Sequence, residues 1–171
     1  MAPIVIAGAT AAVIAIVLVI VLSGGGHGGG PTKAQYLAKA DAVCRTTAAR
    51  INPLIASAKS GAVGLVTGSP GAAAQLAPIF KKLQSATAGG LAQLQALKQP
   101  SGDHAAIEAF LMPLAAVVTA VGDAAADLRD GNSAKAVQLF EQTLSIAPQV
   151  TSAAQAYGYT QCSQLVAALH A

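Results

Sequence analysis

Cys44 and Cys162 are the only cysteines in the 171-residue chain, and 118 positions separate them. Two thiols can join as a disulfide, stay reduced inside a core, or act as nucleophile or metal ligand. A nucleophile needs a base nearby, and the chain offers only His27, His104 and His170 as imidazoles. Neither cysteine lies in a C-x-x-C, and two thiolates fall short of a zinc ligand set. One pair permits one intramolecular connectivity, so Cys44 and Cys162 are read as a disulfide, with two buried free thiols as the alternative. On a chain-entropy basis, closing so long a loop stabilises by at most ~4–5 kcal/mol. A disulfide also implies an oxidising compartment.

Other groupings are weaker. His104 and Glu108 stand four apart on a helix-like stretch, but two ligands are too few for a metal site. Asp123, Asp127 and Asp130 lack the loop spacing of a calcium site and read as a solvated acidic face. Asp41, three residues before Cys44, is in place to polarise a thiol, and a surface carboxylate is the plainer reading. TGSPG is not a nucleophile elbow, and Ser69 is better explained as a helix cap. No catalytic residue, metal ligand set or cofactor motif is therefore expected.

The charges exclude a nucleic-acid surface. Ten basic and seven acidic residues are scattered over 33–171, with Lys81–Lys82 the only adjacent bases. With no Trp and six Phe or Tyr, aromatic stacking on bases is poorly served.

These residues need elements to position them. Residues 3–22 hold no charge, and twenty helical residues span ~30 Å, the thickness of a bilayer core. The expectation is a single transmembrane anchor over 1–22. A cleaved signal peptide is the rival, but the basic start and a good cleavage site are missing. Residues 23–31, SGGGHGGGP, read as a flexible linker in which His27 alone is no metal site. Lys33 and Lys39 after the span weakly favour a cytoplasmic domain. The cysteine pair favours the outside, and the domain 32–171 is expected to be extracytoplasmic.

Within that domain the apolar spacing is helical throughout, and the fold class expected is all-α. TKAQ at 32–35 is a capping box for a first helix carrying Tyr36, Ala40, Cys44 and Ile51 and ended or kinked by Pro53. The Gly- and Ser-rich stretch 56–69 reads as a connector. Ser69 and Pro70 should start a second helix, weakened at Gly89–Gly90 and bearing Leu76, Phe80, Leu83 and Leu94. Asp103 should cap a third and Ser133 a fourth, with Val137, Phe140, Leu144 and Val150 on the fourth helix's stripe. Gly158 ends the fourth, and SQLVAALH forms a short terminal helix. Four such helices with short turns fit an antiparallel up-down-up-down bundle. Its returning tail would lie along the first helix and bring Cys162 to Cys44.

Pro113 and Pro148 fall inside the third and fourth helices, where proline removes a backbone bond and kinks the chain. Two splayed neighbours would leave an apolar pocket lined by Phe110, Pro113, Leu114, Phe140, Leu144 and Pro148.

KAQYLAKADAVC near the start of the domain and AYGYTQC near its end resemble a group of small extracytoplasmic proteins of actinobacteria. In that group an N-terminal hydrophobic segment precedes an Ala-rich helical domain that opens with Y-x-x-x-A-D-x-x-C and closes with a late cysteine. The resemblance implies export and pairing of the cysteines, and no activity. Two functions follow as expectations. One is a membrane-tethered, non-enzymatic module that binds another envelope or extracellular protein. The other is a carrier or sensor for a small apolar ligand held between kinked helices.

Overall fold

The computed structural model describes residues 30–167. The anchor expected over 1–22 and nearly all of the linker lie outside the described residues. Five helices follow in order: α1 (Lys33–Val66), α2 (Ala72–Gln95), α3 (His104–Arg129), α4 (Ser133–Tyr157) and α5 (Gln161–Ala167). No strand occurs among the described residues.

α1 begins as its sequence requires. Thr32 accepts from the Gln35 backbone N–H at 3.2 Å while the Gln35 side chain accepts from the Thr32 N–H at 3.0 Å. It does not end at Pro53, and 56–69 is not a connector: the helix runs 34 residues, to Val66. Proline removes a single ladder bond, and packing outweighs that loss. Gly61 and Gly64 provide the packing. A Cβ on Gly61 would stand 2.7 Å from Leu76 Cδ2, and one on Gly64 would be 3.3 Å from Ala72 Cβ. Glycine there lets the end of α1 close on the start of α2.

The turn after α1 corrects a second expectation. Ser69 and Pro70 stand in the turn, and the cap of α2 is Gly71 in the left-handed region at φ 81°. Asp103 stands at the N-cap of α3 as expected but makes no side-chain cap bond, and the cap of α4 is Asn132, not Ser133.

The well-packed helix pairs are α1–α2, α2–α3, α3–α4, α4–α5 and α1–α5; α1 and α4 are not among them. The core gathers in two places. One holds Tyr36, Ala40, Cys44, Ile107, Phe110, Ala147, Val150, Ala154, Tyr159 and Cys162. The other holds Leu76, Ala124, Leu128 and Ala136. Among the described residues α3 alone is long and apolar enough to cross a membrane. Its apolarity is accounted for by Ile107, Phe110, Leu111, Val117 and Leu128, all buried against its neighbours.

The adjacent glycines of α2 have opposite surroundings. A Cβ on Gly90 would meet Thr47 Oγ1 at 2.5 Å, whereas one on Gly89 meets nothing within 4 Å. Gly89→Ala is expected to raise the unfolding free energy by ~0.5–1 kcal/mol through helix propensity. Gly90→Ala should lower it by ~1–2 kcal/mol, because Thr47 is buried and cannot withdraw. Urea denaturation of the two variants beside the parent chain checks both signs.

Candidate functional site

The residues shared by the two ends of the domain meet at one place. Tyr36, Ala40 and Cys44 recur every four positions on α1, so they share one face. Asp41 stands beside them. Gly158 ends α4 in the left-handed region at φ 105°, and the Tyr159 N–H bonds the Ala154 carbonyl at 2.9 Å. That reversal turns the chain back onto α1.

There the Cys44 and Cys162 sulfurs lie 2.05 Å apart, at disulfide distance, with Cα atoms 5.0 Å apart. Both residues are buried. Asp41 is neither a thiol-polarising group nor a free surface carboxylate. It accepts from the Thr160 hydroxyl at 2.6 Å and from the backbone N–H groups of Thr160, Gln161 and Cys162 at 2.8–3.3 Å. It thus caps α5 from another helix, satisfying amides that the short helix cannot satisfy itself. Partial burial works against the Asp41 charge, but the four donors outweigh it and hold the carboxyl below its ordinary 3.8.

Three tyrosines seal the inner side of this clasp. The Tyr159 hydroxyl donates to Tyr36 Oη at 3.1 Å, and Tyr157 donates to Asp103 Oδ2 at 2.6 Å. This last bond is where the Asp103 carboxylate goes instead of capping α3. The Phe110 ring packs on Tyr159 at 4.7 Å, and the Lys33 ammonium lies 4.2 Å over the Tyr157 ring. Burial is the first cause that raises all three tyrosine pKa values. The hydroxyls are therefore neutral donors and acceptors at physiological pH. With both sulfurs bonded and the carboxylate saturated by donors, the clasp fastens and offers no reactive group.

A second site lies between α1 and α4, along the part of their seam away from the clasp. An apolar groove of about 440 Å³ runs between them, floored by α2 and α3. Ile51, Ile55, Ala58, Ala62 and Leu65 of α1 face Val137, Phe140 and Leu144 of α4, with Leu165 of α5 also in the lining. Of the pocket residues expected from sequence, Leu114, Phe140 and Leu144 line this groove. Phe110, Pro113 and Pro148 do not: Phe110 belongs to the clasp, and α3 and α4 run unbroken past both prolines. The groove is bounded by the Ile51–Leu65 stretch of α1 and the Ala136–Leu144 stretch of α4, and neither proline lines it. Val137 and Phe140, expected in the core, are 38% and 40% exposed at its rim. The buried track of α4 starts at Ala136 and Thr143 and follows the expected stripe from Ala147 through Val150, Ala154 and Tyr157. Phe140 meets Phe80 edge-on at 6.4 Å.

The metal-like groupings stay apart. His104 Nδ1 bonds Gln99 Oε1 at 2.8 Å. Asp127, expected on a solvated face, is buried and pairs with Lys135 at 3.4 Å, while Asp130 pairs with Arg129 at 3.2 Å. Among the described residues no three His, Cys, Asp or Glu side chains converge as metal ligands.

Replacing Cys44 and Cys162 together by Ser should lower the unfolding free energy by ~2–4 kcal/mol. Hydrogen exchange should show residues 159–167 opening first while α1–α4 persist. For Asp41→Asn the expected loss at neutral pH is ~1–2 kcal/mol, the size of a lost cap. Because the folded carboxyl titrates below 3.8, its contribution is complete above that value and fades as pH falls beneath it. The urea midpoint of the parent should therefore drop below pH 3.8 more steeply than that of Asp41→Asn. No family model, curated protein or solved structure matches this chain, so the functional reading rests on the clasp and the groove themselves.

Proposed function

We propose that this chain is a membrane-tethered, extracytoplasmic helical module without enzymatic activity that holds a small apolar ligand between α1 and α4. The observation that carries this is the groove: about 440 Å³ of mostly apolar space, open to solvent and lined by large aliphatic side chains. Large aliphatic side chains on four helices converge on it, and a soluble chain left to itself would tend to close such a space.

Three further features fit the same picture. The bonded cysteines suit an oxidising compartment, in keeping with the likeness of both ends of the domain to actinobacterial exported proteins. The charge-free run 3–22 has the length of a single span and would hold the domain at the membrane. The four long helices are joined by short turns. Gly64 near the end of α1 lies against Ala72 at the start of α2, while Thr47 lies against Gly90 near the end of α2. Both contacts support the antiparallel up-down-up-down arrangement.

Docking of an envelope protein is the second reading, favoured by Val137 and Phe140 at the groove's rim. Native mass spectrometry of the full chain released from its source membranes separates the two. An apolar molecule of defined mass should travel with the parent chain and be lost from Ala58→Trp, which fills the groove. Chain that carries no such molecule, and releases none to organic solvent, would overturn the ligand reading. Retention of an apolar molecule by Ala58→Trp would place it outside the groove.

A further inference from the structure

Among the residues lining the groove, Lys59 alone bears a charge. It is exposed and sits one turn from Ile55 and Ala62 on the α1 side, so its ammonium belongs at the mouth and its stem along the wall. Among the described residues it makes no ion pair; the pairs formed are Arg129–Asp130 and Lys135–Asp127. No acidic side chain joins the lining. The threonine hydroxyls in the wall are already committed, Thr87 to the Leu83 carbonyl and Thr143 to that of Leu139. Among the described residues the groove therefore presents apolar walls, one free cation at the rim, and no other uncommitted polar side chain on those walls. Its length also suits a chain-like guest: from Ile51 to Leu65 α1 rises ~21 Å.

We infer that the groove takes a single-chain amphiphile with an acidic headgroup, its hydrocarbon among Ile55, Leu76, Leu114 and Phe140 and its headgroup against Lys59. This rests on the groove being a ligand site, as proposed above. A carboxylate and a phosphate monoester share the required chemistry: an anion outside, an alkyl chain within.

Photolabelling of the full chain in nanodiscs of zwitterionic lipid tests the assignment. The probes are a diazirine-bearing hexadecanoic acid, its methyl ester, and an alkyl phosphate with the same diazirine, with labelled peptides mapped by mass spectrometry. The acid and the phosphate should label the peptides around Ile55–Ala62 and Val137–Leu144. The ester should label them about threefold less, the size of one rim-exposed charge contact. Lys59→Met should bring acid labelling down to the ester's level and leave the ester unchanged, while Lys59→Arg keeps the parent pattern. A preference for only one of the two acids assigns the headgroup. Equal groove labelling by acid and ester, unmoved in Lys59→Met, overturns the inference and leaves the apolar site standing. Absence of label from the groove with all three probes overturns both.

Discussion

The fastening of α5 onto α1 is the constraint from which the remaining architecture follows. α1, α2, α3 and α4 each pack chiefly on the next. α5 is the element that touches both α4 and α1. It is held there by a disulfide, by the Asp41 cap and by the tyrosine contacts, three kinds of interaction with different dependence on solvent. α5 has seven residues and α1 has thirty-four, so they rise ~10 Å and ~50 Å respectively. A closure that short shuts one end of the α1–α4 seam and leaves the other open. Leu165 of α5 reaches the lining of the groove.

The two halves of the molecule are built for different ends. Around the clasp, large side chains fill space: Tyr36, Phe110, Ile107 and Val150 are fully buried. Toward the other end α1 and α2 approach through Gly61, Gly64 and Ala72, which fixes their spacing with very small residues. On that side Ile55, Leu76 and Phe80 line the groove together with Val137 and Phe140 of α4.

Much of this was legible in the sequence, and the failures share a cause. The all-helical class and the element order follow from apolar spacing, and Gly158 as a helix terminus follows from its freedom at positive φ. The Asp41–Cys44 spacing is about one helical turn, so the carboxylate and thiol share a face. The capping role of Asp41 was still hidden, because its partners lie 119–121 positions away. Gly- and Ser-rich 56–69 looked like a connector because glycine signals either a turn or a close approach, and only the partner helix decides which. At the start of α4 the buried positions Ala136 and Thr143 stand one residue before the large Val137 and Leu144 of the expected stripe. Large residues dominate such a reading, whereas Ala136 and Thr143 are what fit between closely packed neighbours.

The sequential packing also governs the order in which the chain assembles. Contacts between helices adjacent in the chain span short loops, and a fold made of them has low contact order and forms fast. The junction of α1 with α5 is different, since its partners are 118 positions apart and their meeting carries a large loop-closure entropy. The α1–α2, α2–α3 and α3–α4 hairpins are thus expected to form before oxidation, with cysteine pairing as the closing event. Until then no covalent bond holds α5 against α1. A chain exported as proposed would reach its surroundings with α5 still unlatched and be locked only once the sulfurs have joined.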